Sequence, residues 1–311
     1  HVGDGIRHST TVSLARTDDI VRGIYHIRMD VTKPMDFSRF VVFQIGADTY
    51  NSSRERKMAI GNETGLTREW STQWGGNTYR TQPVECIGRI PWFSLHDGEL
   101  GANDHNGPPA NRGIVIRAWK ARLGGKDASP WMAERGLTRH QTDSSTLDIV
   151  PPPDVTRLEP GDFIDATLEH LVMPKFANDY YGPSAALRTA LTKDENTWRM
   201  IHREAVGNDY AVTMQAGTLE RLHPDVRVRT EKDTATFVLT GGINFVPVTF
   251  TGLSSPRNFK LTVDGVPLDQ SIHGSDFWQT DYEPVTRTWS RTYNIPPGGQ
   301  KNQSISLTPK P

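Results

Sequence analysis

Two stretches of the chain gather the residue types that move protons. Asp179-Tyr180-Tyr181-Gly182-Pro183 precedes Thr197-Trp198-Arg199-Met200-Ile201-His202-Arg203-Glu204-Ala205-Val206-Gly207-Asn208-Asp209. Histidine is the natural general base near neutral pH, and a tyrosine can serve as its acid or base partner. Read as a strand, residues 197 to 203 place Trp198, Met200 and His202 on one face and Arg199, Ile201 and Arg203 on the other. His202 or Tyr181 would then remove a proton α to a carboxylate. Arg199, Asn208 and Arg80 would hold the charge that develops. The bland alternative is a half-buried histidine beside structural tyrosines at a corner.

Three further segments bear polar chemistry. Glu69 to Arg80 is polar, aromatic and glycine-rich together, the texture of a functional loop. Its Trp70, Trp74, Asn77, Tyr79 and Arg80 supply flat rings and forked donors suited to a sugar. The same residues also suit a long loop whose two tryptophans anchor it to a core. The segment 269 to 282 repeats the mixture, with His273 and Trp278 as its binding candidates. Asp97, Glu99 and Asp104 lie in a run of hard oxygen donors that could hold Ca²⁺. Their spacing fits neither an EF-hand nor a zincin helix, which leaves a solvated loop as the simpler reading. If the chemistry is hydrolysis, two carboxylates among Glu63, Glu69, Asp97 and Glu204 must flank one bond.

The elements that must position these groups read as β. Tyr25, Ile27, Met29 and Val31 alternate with His26, Arg28 and Asp30, which predicts a strand with one buried face. Ile164, Ala166, Leu168, His170 and Val172 face away from Asp165, Thr167 and Glu169 in the same manner. Shorter strands are expected over 40–45, 114–119, 235–239 and 258–263, the last turning at Asp264-Gly265 into a hairpin. One short helix is expected from Ser184, as its cap, to Lys193. Pro151-Pro152-Pro153 is a stiff spacer without backbone donors, so the expected division is 1–150 and 154–311, with a small terminal β subdomain over about 245–311. The fold class is therefore all-β: a large antiparallel β-sandwich, or two packed β-sandwiches, with one short helix.

Charge and composition exclude several classes. With 35 Lys and Arg against 36 Asp and Glu, the net charge of −1 offers no general attraction to nucleic acid or an anionic membrane. No run approaches the roughly 18 apolar residues of a membrane-spanning helix. The single cysteine, Cys86, forms no internal disulfide. Walker, dinucleotide-binding, Gly-x-Ser-x-Gly and His-Glu-x-x-His signatures are missing, which argues against nucleotide-dependent enzymes, common esterases and zincins.

Residues Phe40 to Tyr50, Trp70 to Arg80, Asp179 to Pro183 and Trp198 to Asn208 give a texture that resembles the large, super-sandwich-like β-modules of bacterial carbohydrate-active proteins, polysaccharide lyases among them. The resemblance implies a class and no particular catalytic residues. It implies a polysaccharide or oligosaccharide partner and a secreted, periplasmic or cell-surface location. No cofactor is required, with Ca²⁺ as the one ion allowed for. The leading expectation is a polysaccharide lyase or glycoside hydrolase. The alternative from another class is a non-catalytic carbohydrate-binding or structural module of a larger protein; a capsid or surface-assembly protein comes third.

Overall fold

The structure is a computed structural model that describes residues 4–14, 20–48, 55–73, 83–97, 111–139, 142–174, 177, 180, 182, 184–193, 197–268, 278–299 and 301–310. The chain forms two compact units, one of residues 1–12 and 19–205 and the other of 13–18 and 206–311. In chain order the elements as far as the 205/206 boundary are β1 (Ile6–Leu14), β2 (Val21–Val31), β3 (Met35–Asp36), β4 (Phe43–Asp48), β5 (Glu55–Asn62), β6 (Gly65–Gln73), β7 (Val84–Glu85), β8 (Trp92–Asp97), β9 (Asn111–Leu123), β10 (Lys126–Asp127), β11 (Trp131–Arg139), β12 (Thr142–Val150), β13 (Arg157–Leu158), β14 (Phe163–Met173), α1 (Ala185–Thr192) and α2 (Thr197–Gly207), the last running two residues past it. Ten strands follow: β15 (Ala211–Ala216), β16 (Thr218–Arg221), β17 (Val226–Arg229), β18 (Ala235–Thr240), β19 (Val246–Leu253), β20 (Phe259–Val263), β21 (Val266–Pro267), β22 (Trp278–Glu283), β23 (Thr288–Ile295) and β24 (Asn302–Pro309).

The fold is all-β, as the alternation predicts. In the first unit an eight-stranded sheet runs β1-β2-β14-β9-β8-β5-β6, with β10 added to β9. A four-stranded sheet, β4-β12-β11-β7, packs on its inner face. Period-2 alternation supplies the core between them: Ile27, Met29, Met58, Phe93, Ile114, Ile116, Ile164 and Leu168 from the large sheet meet Ile45, Met132, Leu147 and Ile149 from the small one. On the outer face of the large sheet, Leu187 and Leu191 of α1 and Met200, Ile201 and Ala205 of α2 pack against Ala59, Trp92, Val115, Leu171 and Met173. The large sheet is thus sandwiched over part of its outer face too, which explains why the outward-facing Glu169, Leu171 and Met173 of β14 are buried.

The second unit is a sandwich of two five-stranded sheets, β15-β18-β24-β20-β21 and β16-β17-β19-β23-β22. Phe237, Leu239, Leu261, Ile305 and Leu307 of the first meet Val226, Val248, Phe250, Tyr293 and Ile295 of the second. The Asp264-Gly265 turn joins β20 to β21 with Val263 opposite Val266. Both turn residues lie at positive φ, 52° and 80°, the pair that a type I′ hairpin requires.

Three expectations are corrected. Residues 197–203 are not a strand but the first two turns of α2, a second helix beside α1 among the described residues. The period that wins is 3.6: Met200, Ile201, Glu204 and Ala205 form the buried stripe. The prolines 151–153 lie inside the first unit, because β14 beyond them pairs with β2 and β9 before them. Residues 245–311 are likewise no separate subdomain; they complete the sandwich begun at 206, with β18 paired to β24.

Candidate functional site

The outer face of the large sheet carries the candidate site and has two zones. Under α2 the sheet offers small residues, Ala59, Gly61, Ser94 and Gly113. A Cβ on Gly113 would lie 2.1 Å from Cδ1 of Ile201, and one on Gly61 would lie 2.1 Å from Cζ2 of Trp92. Glycine at these points lets α2 sit close and lets Trp92 lie across β5, where its Nε1 donates to the Asn62 carbonyl at 2.8 Å. Trp198 stacks on Trp92 with centroids 6.3 Å apart and planes 4° from parallel. One turn later the His202 ring reaches the same tryptophan at 5.6 Å.

A buried ion cluster lies at the far end of the helix. The register of β14 on β9 jumps from Thr167–Ala118 to Leu168–Ile116, and the bulge turns Arg117 onto the outer face. Arg117 Nε donates to Glu169 Oε2 at 2.6 Å, and Arg22 Nε donates to Glu169 Oε1. The other two nitrogens of Arg117 donate to the carbonyls of Ala205 at 2.6 Å and Glu204 at 3.2 Å, closing the last turn of α2. Glu169, Arg22 and Arg117 expose 0%, 1% and 3% of their side chains. Burial alone would push the Glu169 carboxyl up; the Arg117 and Arg22 guanidinium groups overcome it and hold it below the ordinary range. Glu204 goes the other way. Burial pushes its carboxyl up against the opposing charge of Arg203, and the nearby Glu169 charge adds to the rise. Two carboxyls driven apart by their surroundings is how an acid–base pair looks electrostatically. Both are sealed from solvent, however, and the cluster's visible work is to fix α2 on the sheet.

The sequence candidates divide accordingly. His202 and Glu204 share α2; the His202 ring packs on Trp92, and its Nδ1 is buried without a hydrogen-bond partner among the described residues. Arg199 is exposed, with its guanidinium 5.3 Å over the Trp198 ring. Asn208 is 0% exposed, and its Oδ1 accepts the N–H groups of Ile243 at 3.1 Å and Asn244 at 3.0 Å within the second unit. Trp70 belongs to strand β6 and not to a loop, and it packs partly buried against the inner core with the Arg68 guanidinium 4.8 Å over its ring. Glu63 caps a turn, its carboxylate accepting the N–H groups of Arg89 and Ile90 at 2.9 Å each. Asp97 ends β8 and Trp278 begins the edge strand β22. Tyr181, Trp74, Asn77, Tyr79, Arg80, His273, Glu99 and Asp104 lie outside the described residues. Among the described residues no group of three metal-ligating side chains gathers, and no helix is long and apolar enough to cross a membrane.

The second zone was not singled out by sequence. Where α1 and α2 do not cover the sheet, β2, β14 and β9 place His26, Thr167 and Ala118 in one row, Arg28, Asp165 and Lys120 in the next, and Asp30, Phe163 and Arg122 in the third. Arg28 Nε donates to both oxygens of Asp30 at 3.0 and 3.1 Å, and its Nη1 reaches Asp165 Oδ2 at 3.2 Å. His26 Nε2 lies 3.0 Å from Asp165 Oδ1. The guanidinium rests 4.7 Å over the Phe163 ring. Hydrogen bonding to Arg28 holds Asp30 below the usual carboxylate range, and the same contact raises Arg28. The clue in the sequence is the complementary charge of two alternating strands, His26/Arg28/Asp30 and Asp165/Thr167/Glu169.

No protein-family model, curated protein or solved structure matches the chain.

Proposed function

We propose that the chain is a non-catalytic, carbohydrate-binding β-module. The observation that carries the reading is the employment of the described catalytic candidates: Glu204 is 2% exposed, Asn208 is 0% exposed, and His202 is pressed on Trp92. Each holds an element in place, and a polymer would have to displace α2 to meet Glu204. The carbohydrate part of the reading is supported by the aromatic, amide and guanidinium groups gathered in the sequence segments 69–80 and 269–282 and by a sheet face lined with hydrogen-bonded polar groups. Affinity electrophoresis through gels cast with a panel of polysaccharides tests it. The expected result is retardation by at least one polymer; migration unchanged by every polymer would refute the reading.

The opposed shifts of Glu169 and Glu204 favour a glycoside hydrolase as the second reading. Release of reducing ends that is lost in Glu204→Gln, with α2 still folded, would establish that reading in place of the first.

A further inference from the structure

We infer that the uncovered half of the large sheet's outer face binds the carboxylate groups of an acidic, uronate-bearing polysaccharide, with Lys120 and Arg122 as the cations that grip it. The inference rests on the carbohydrate-binding reading and gives it a place and a substrate class.

Placement comes first. Three central strands with three outward residues each make a patch of about 10 by 13 Å, from strand spacings near 4.8 Å and a rise near 3.3 Å per residue. The interstrand ladders leave its backbone little freedom, so little ordering entropy is lost when a ligand settles there. The side chains are reachable: Arg122, Asp165, Asp30 and Arg28 expose 55%, 44%, 43% and 37% of their area.

Charge then selects the occupant. Both acids of the patch are already engaged, Asp30 by Arg28 and Asp165 by Arg28 and His26. Arg7 adds a further positive charge near Asp30. Lys120 sits beside Asp165 in the register yet forms no ion pair within 4 Å among the described residues. Among the described residues Arg122 pairs only with Asp162, at 4.0 Å. Asp162 is committed elsewhere: its oxygens accept the N–H groups of Gly124, Gly125 and Glu159 at 2.7, 3.0 and 2.8 Å. Two exposed cations therefore stand beside acids already held by hydrogen bonds on a backbone-fixed surface, an arrangement that attracts a repeated anion. A guanidinium fork matches a carboxylate, and a lysine adds a point charge one row away.

Affinity electrophoresis of the whole chain in polygalacturonate or alginate gels, against a neutral glucan gel, tests the inference. Mobility is normalised to a gel without polymer. The double variant Lys120→Glu/Arg122→Glu is expected to bind polyuronate at least tenfold more weakly than wild type. Lys120→Gln/Arg122→Gln should show a smaller loss, and Lys260→Glu, a charge reversal on β20 of the second unit, none. Wild-type binding should weaken as salt rises. Polyuronate binding undiminished in both double variants, or binding of the neutral glucan alone, overturns this surface and leaves the carbohydrate-binding reading standing. Retardation by no polymer overturns both. Unchanged thermal unfolding of the glutamine variant separates loss of grip from loss of fold.

Discussion

Replacing Glu169 by glutamine should be the most damaging single-atom change in the first unit. The substitution keeps the shape but turns one oxygen into an NH₂ group facing a guanidinium. It also removes the carboxylate that Arg22 and Arg117 share at 1% and 3% exposure. Breaking a buried ion pair in this way costs about 3–5 kcal/mol, because the charges left behind remain desolvated. Arg117 must also keep its bonds to the Ala205 and Glu204 carbonyls without the anion that aims it, so the last turn of α2 should loosen with it. For a unit in the 150–250-residue class, 4 kcal/mol corresponds to a fall in Tm of roughly 8–16 °C. Thermal unfolding followed by tryptophan fluorescence reads it, with Trp92 and Trp198 stacked at the helix–sheet seam as internal probes. Adding Arg22→Met should recover part of the loss by removing one stranded cation. The corresponding double-mutant cycle should give a coupling above about 1.5 kcal/mol. A loss below about 1 kcal/mol in Glu169→Gln would refute the idea that this cluster fixes α2.

Other consequences follow from single groups. Because burial raises the Glu204 carboxyl, the folded state favours its acid form, and its contribution to stability is lost as pH rises above the ordinary value of 4.5; Glu204→Gln should therefore gain on wild type over that range in urea titrations at several pH values. His170 is pushed down to about 4 by burial and by Arg112, so the folded state holds it neutral. Stability should fall as pH drops from about 6.5 toward 4, by at most roughly 3 kcal/mol, and His170→Leu should flatten that part of the pH profile. Gly61→Ala places a methyl 2.1 Å from Trp92 and 2.3 Å from the Gly65 carbonyl oxygen, and a cost of about 3 kcal/mol is expected in denaturant unfolding.

Much of the architecture was legible because β-strands with one buried face write their period into the chain. The alternations of β2 and β14, the Asp264-Gly265 hairpin and the Ser184 cap, whose Oγ accepts the Leu187 N–H at 3.1 Å, are local signals and were readable as such. The segment 197–203 misleads because Trp198, Met200 and His202 alternate with Arg199, Ile201 and Arg203, while the stripe that decides for a helix needs Glu204 and Ala205 as well. Glu169 reads as a solvent-facing member of its strand; that a helix roofs this end of the sheet, and that Arg22 and Arg117 arrive from two other strands, are facts of tertiary pairing. The same holds for the patch around Arg28. His26 and Asp165 stand 139 residues apart, and only the β2–β14–β9 order brings them together. The proline spacer marks a stiff connection faithfully, but stiffness does not make a boundary when the strands on either side pair with each other.

The size distribution of a bound polysaccharide, measured by size-exclusion chromatography before and after prolonged incubation with the protein, tests the central reading most directly. An unchanged distribution for a polymer that retards the chain is the predicted result. Shortened chains, with reducing ends or unsaturated termini that disappear in Glu204→Gln or His202→Gln, would contradict it.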